Sequence, residues 1–124
     1  MAKRFTDSEK WKKRFIRSLE APYKLLWVYI LDECNHAGIW DVDFDVAKIK
    51  LGLPDIKEET AVKMFNNKIQ VFDNGDKWFI PSFIDWQYGG IEQLSEINRA
   101  HKSVIDNLKK HGLWQDLAFP TQSF

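Results

Sequence analysis

Four basic side chains near the start of the chain, Lys10, Lys13, Arg14 and Arg17, recur at spacings of three and four residues. On a helix they share one face, and the chemistry open to such a face is the neutralisation of phosphate oxygens. Lys10/Arg14 and Lys13/Arg17 are like-charge pairs at i,i+4, each costing about 0.2–0.5 kcal/mol in an isolated helix. No carboxylate falls on the expected stripe, so an external anion would relieve it; the alternative is a solvated face kept for solubility. A second polar set, Thr60, Lys63, Asn66, Asn67 and Lys68, has side chains able to meet base edges or phosphates. Lys77 is a further cation within reach of a phosphate.

Other chemistries find less support. Asp32, Cys34 and His36 lie within five residues and are followed by Asp41, Asp43 and Asp45, but a structural zinc site takes four N or S ligands in two close pairs. With one Cys and one nearby His, no metal is expected; Cys34 reads as a small buried hydrophobe and His36 as a helix-end group. His101 falls on an apolar helix face and His111 beside a helix stop. None of the serines sits in a Gly-x-Ser-x-Gly setting, and no Gly-rich phosphate loop follows a strand. The expectation is a chain with no catalytic residues and no cofactor.

The elements that must position these side chains follow from periodicity and punctuation. Thr6 and Glu9 have capping-box spacing, which predicts a helix from about Asp7 to about Leu19 with Trp11, Phe15, Ile16 and Leu19 on its apolar side. Pro22 opens a second helix, apolar nearly all round, that should lie at the centre. Residues 38–42 read as a short extended segment. Asp43 then caps a helix holding Phe44, Ala47 and Leu51 and stopping at Gly52, although Val42, Phe44 and Val46 also alternate as a strand would. Asp55, with Glu58 three residues on, predicts the next N-cap, with Ala61, Val62 and Phe65 facing inward and Lys57, Thr60, Lys63 and Asn67 outward.

Residues 68–72 and 77–80 alternate polar and apolar across Asn74-Gly75, the pair favoured in a two-residue type I′ hairpin. Pro81 should end the pairing. Phe83, Trp86 and Tyr88 return aromatic mass to the core, and Gly89-Gly90 is the best linker candidate. A last helix runs from its cap Asn98 to Gly112, burying Val104, Ile105 and Leu108 and projecting Arg99, Lys102, Lys109 and Lys110. Helix, turn, helix and hairpin in that order make a winged helix-turn-helix, which offers its second helix to a DNA groove.

The chain has 124 residues, 44% apolar, with six Trp and nine Phe, which fits one well-filled globular domain and argues against disorder. Its longest apolar run, residues 25–31, is far short of the roughly 20 residues a membrane span needs. The start MAKRFTDSEK has no secretory pattern and Cys34 stands alone, so the expected setting is the cytoplasm. Formal net charge is zero, yet residues 1–24 hold eight basic against three acidic side chains and residues 32–60 hold eight acidic against three basic. A molecule so divided can orient on a polyanion or pair head to tail with a copy of itself.

The stretches KRFTDSEKW, YKLLWVYILDECNHAGIWDVD, KWFIPSFIDWQYG and NRAHKSVI resemble the DnaD-like, winged-helix N-terminal domain of replication initiators, or replisome organisers, of bacterial phages and related mobile elements. The similarity covers most of residues 3–113. It implies binding of double-stranded DNA at a replication origin, with replication proteins as further partners through a separate C-terminal region for which these 124 residues leave no room. The expected fold is mainly α with a small β-wing, a winged helix-turn-helix with N- and C-terminal helical extensions. Residues 1–20 are a basic helix packed on the domain, 21–88 the winged helix-turn-helix and 91–124 the C-terminal extension. The expected function is non-enzymatic DNA binding; the alternative is a protein-interaction or self-assembly module that uses the same body as a scaffold. Asp55, Glu58 and Glu59 at the start of the second motif helix repel phosphates and accept only from cytosine N4 among base edges, so backbone contacts should dominate.

Overall fold

Pro22 in the first turn and a run of long apolar side chains set the central helix, α2 (Ala21–Glu33), which buries Tyr23, Leu26, Trp27 and Ile30. Burial is not complete all round, because Leu25 is 45% exposed. The computed structural model describes residues 3–115, so the last nine residues of the extension expected over 91–124 lie outside the described residues. Among those described, six α-helices surround a three-stranded antiparallel sheet of order β1-β3-β2. The fold is mainly α with a small β-wing, and the helix-turn-helix of α3 (Phe44–Leu51) and α4 (Glu58–Phe65) leads into the hairpin β2 (Gln70–Phe72) and β3 (Lys77–Phe79).

Asn35 makes the turn after α2: its side-chain oxygen accepts from the backbone N–H of Ala37 and Ile39 at 2.9 and 3.0 Å. Gly38 is required there, having φ +82° and leaving room for no Cβ, which would lie 3.0 Å from Ile80 O and Phe83 Cβ. β1 (Ile39–Asp41) then pairs with β3 in the register Ile39↔Phe79, Trp40↔Trp78 and Asp41↔Lys77. α3 is a helix and not a strand. Asp43 Oδ1 accepts from Val46 N–H at 3.0 Å and Gly52 closes it at φ 67°. The hairpin turns at Asn74 and Gly75 as expected, but through the longer connection Asp73–Asp76 and not a two-residue loop: the last strand pair is Phe72↔Lys77, Asp73 also has positive φ, and Asp76 N–H donates to Asp73 O at 3.0 Å.

Several expectations are corrected. The N-terminal helix is broken into a 3-10 turn (Lys10–Lys12) and a short α1 (Arg14–Ser18), separated by Lys13 at ψ 140°. The capping box fails because the Asp7 carboxylate takes the Glu9 N–H at 3.0 Å, while Thr6 Oγ1 accepts from Lys10 Nζ at 2.6 Å. Trp11 consequently points outward and is 56% exposed. α4 is capped not by Asp55 but by Lys57, whose N–H donates to the Tyr23 hydroxyl at 3.1 Å just after Ile56 turns into the core.

At its other end α4 stops at Asn66 (φ 44°, ψ −120°), so Asn67 and Lys68 lie in a separate 3-10 turn, Asn66–Lys68, and not on the second motif helix. Residues 81–88 form an unexpected helix, α5 (Pro81–Tyr88), with Pro81 in its first turn and Gly89 as its left-handed stop. Gly89-Gly90 is therefore a helix end and not a linker: Gly90 is buried and its N–H donates to Ile84 O at 3.3 Å.

The larger core cluster joins Ile16, Trp27, Phe65, Trp78 and Phe83, and a second one packs Val104 and Leu108 of α6 (Arg99–Lys110) on Ile39, Phe79 and Ile84. The Asn98 side chain caps α6, as expected, by accepting from Ala100 and His101 N–H. Asn66 holds a backbone conformation that an L side chain strains by about 1–3 kcal/mol. Asn66→Gly should raise the denaturant midpoint by the equivalent of about 1 kcal/mol once the added unfolded-state entropy of Gly is counted. A midpoint that stays or falls would show that the Asn side chain stabilises this turn.

Candidate nucleic-acid interface

The N-terminal segment is tied down by Arg4. Its guanidinium Nη1 donates to the carbonyls of Leu31 and Asp32 at the end of α2, both at 3.0 Å, and lies 5.3 Å from the centre of the Phe83 ring. Phe5 N–H donates to the Gln87 side chain on α5 at 3.2 Å. So anchored, the segment lays residues 7–16 across α2 and α5 and encloses a cavity of about 280 Å³. Phe15, Trp27, Leu31 and Trp86 form its apolar lining, and Lys10, Lys13, Arg14 and Lys68 bring four cations to it against the single carboxylate of Asp7.

Lys68 arrives from the turn after α4, where Phe65 is fully buried and meets Trp27 and Phe15 at ring distances of 4.9 and 6.2 Å. Its ammonium sits 5.7 Å from the centre of the Phe15 ring. The cluster is thus partly the expected stripe and partly a residue from another element. Lys13 is not left to an external anion: its Nζ meets Asp7 Oδ2 at 2.7 Å, a carboxylate that the expected single helix did not bring to the stripe. Arg14, Arg17, Lys63 and Lys68 make no ion pair with any described residue. Arg17 is exposed on α1 but does not line the cavity.

Of the expected groove-facing residues, Lys63 is exposed and Thr60 half-buried on α4, while Asn67 is exposed in the turn beyond it. Glu58 and Glu59 occupy the first turn of α4, where they suit the helix dipole and oppose phosphate. Lys77 is spent within the wing. Its Nζ meets Asp41 Oδ1 at 2.5 Å, and that hydrogen bond, with Asp73 and Asp76 nearby, holds its pKa above the usual lysine value. On α6, Lys102 pairs with Asp106 and Lys109 with Glu96, which reduces the cationic surface expected of that helix.

Cys34 is 1% exposed and burial pushes its thiol pKa up to about 11. His36 faces Ser103 on α6 at 2.9 Å. Among the described residues no group of three or more His, Cys, Asp or Glu could hold a metal ion, and no helix is long and apolar enough to cross a membrane. Sequence reasoning missed the wall supplied by Ser82 and Trp86 because it did not find α5. Pro81 and Gly89 were the available signals, eight residues apart. No family model, no curated protein and no solved structure matches the chain.

Lys13 donates a hydrogen bond to the Asp7 carboxyl and holds its pKa below the ordinary 3.8. A depressed folded-state value means that the stabilisation is complete above the unfolded pKa and disappears as pH falls through the lowered one. Carbon-detected NMR titration should therefore find Asp7 titrating below 3.8 in the wild type, and Lys13→Met should move that midpoint upward. An unchanged midpoint would mean that the pair does not persist in solution.

Proposed function

We propose that this chain is a non-enzymatic DNA-binding module that grips the phosphate backbone of double-stranded DNA beside the C-terminal end of its second motif helix. The observation that carries the reading is the convergence of Lys10, Lys13, Arg14 and Lys68 around one cavity on a winged helix-turn-helix body. Three of them, Lys10, Arg14 and Lys68, lack an ion-pair partner among the described residues, while Lys13 is held by Asp7. Lys63 on α4 and Asn67 just after it supply the limited base contact, and Arg17 adds a further phosphate contact. Lys77 is dropped from the contact set because its charge is met by Asp41. The resemblance to initiator domains of phages and mobile elements supports a role at a replication origin in the cytoplasm.

One observation favours the second reading, a protein-interaction or self-assembly scaffold. Val46 and Ile49 on α3 are 38% and 81% exposed within the acidic part of the chain. Salt dependence separates the two. Reversing Arg14 and Lys68 together to Glu should weaken binding to random blunt duplex and flatten the plot of log affinity against log salt by roughly 0.9 for each phosphate no longer neutralised. Lys63→Ala should instead change discrimination between sequences, and Lys77→Ala should change neither. If the double reversal leaves affinity and slope as they were, with circular dichroism unchanged, the scaffold reading leads.

A further inference from the structure

The cavity beneath the cationic cluster holds more than a phosphate contact requires. A duplex presents its backbone to the outside and keeps its bases stacked, so phosphates could touch Lys10, Arg14 and Lys68 while the aromatic lining stayed empty. Proteins that hold single strands combine cations that track the backbone with rings on which unpaired bases stack. This cavity has both parts: Phe15 and Trp86, each half-buried, face a space of about 280 Å³ with four cations around it. Ser82, on the α5 wall, adds a hydroxyl that can donate to or accept from a base edge.

We propose that this cavity is a binding site for one unpaired nucleotide of single-stranded DNA, its base against Trp86 and Phe15 and its phosphate on Arg14 and Lys68. The proposal rests on the DNA-binding reading above and narrows it: the module holds a strand that has left the duplex. The lone carboxylate, Asp7, is occupied by Lys13 at 2.7 Å, so the remaining three cations face the ligand without a charged competitor at the site. An acidic peptide would match the cations but has no use for an aromatic lining unless it also carries a ring, which makes it the outcome to test against.

The experiment compares a labelled oligothymidylate with a blunt duplex of the same length by fluorescence anisotropy, at two salt concentrations. The single strand should bind at least as tightly as the duplex, and a single-stranded tail should raise the affinity of the duplex. Trp86→Leu, which keeps an apolar side chain but removes the stacking ring, should cost on the order of tenfold for the single strand while leaving its salt slope and the duplex affinity unchanged. Should Trp86→Leu disturb the fold, Ser82→Phe fills the cavity from the α5 wall and should have the same selective effect.

Duplex binding that exceeds single-strand binding, with both variants silent on the single strand, would overturn this proposal and leave the duplex reading standing. Single-strand binding abolished in Trp86→Leu, with no duplex affinity at all, would do the reverse. Displacement of neither DNA but capture of an acidic, aromatic peptide in a variant-sensitive way would overturn the nucleotide assignment as well.

Discussion

The edge-to-face contact of Trp27 with Phe65, ring centroids 4.9 Å apart, is the joint on which the arrangement depends. Phe15 closes on both rings at 5.0 and 6.2 Å, Trp78 meets Phe65 at 6.1 Å, and Trp40 and Phe44 continue the series from Trp78 at 5.2 and 5.8 Å. One line of rings thereby connects α1, α2, α4, β3, β1 and α3. Each such pair adds about 0.5–1.5 kcal/mol beyond the area it buries, and ring edges tolerate little sliding. Because Phe65 is the last residue of α4, its seat on Trp27 also fixes where the chain leaves that helix. That exit is what carries Lys68 across to Phe15 and the cations of the N-terminal segment.

Legibility in the sequence followed the range of the interactions. Asp43 with Gly52 and Asn98 with its helix act within a few residues and mark their elements where spacing says they should, and Asn74-Gly75 marks the place of the turn though not its length. α4 was legible as a helix but not in its limits, because its start is decided by Tyr23, 34 residues away, taking the Lys57 N–H, and by the burial of Ile56. The N-terminal helix failed for the opposite reason. Thr6 and Glu9 have the right spacing, but Asp7 competes for the same N–H and holds Lys13 as well, and spacing alone does not rank two local acceptors. The candidate site was half legible: three of its cations were a visible stripe, while Lys68, Trp86 and Ser82 reach it only through tertiary packing.

Zero net charge conceals how the charges are spent. The wing tip carries Asp73 and Asp76 beside a lysine already bound to Asp41, so the hairpin is a poor arm for a polyanion. Arg4, formally part of the basic N-terminus, serves as an internal clasp on the end of α2. Among the described cations that make no ion pair, Lys10, Arg14 and Lys68 meet at the cavity, with Arg17 on α1 and Lys63 on α4, while Lys24, Lys48, Lys57, Arg99 and Lys110 lie elsewhere. Ion pairing thus trims the cationic surface that formal charge by segment suggests, and the fold gathers part of the remainder at the cavity.

That concentration limits how the proposed module can meet DNA. Insertion of the N-terminal end of α4 into a major groove would bring Glu58 and Glu59 past the phosphates on the way in, and only cytosine N4 offers a carboxylate a donor there. Approach by the other end of α4 avoids that repulsion and brings Lys63, Asn67 and Lys68 forward with Arg14. Few of these can reach base edges, so the affinity of such a complex lies in its backbone contacts and its sequence selectivity is weak. The same approach sets the cavity lined by Trp86 and Phe15 against the strand being gripped. A base can enter it only by leaving its stack, so the cost of unpairing favours strands that are already open.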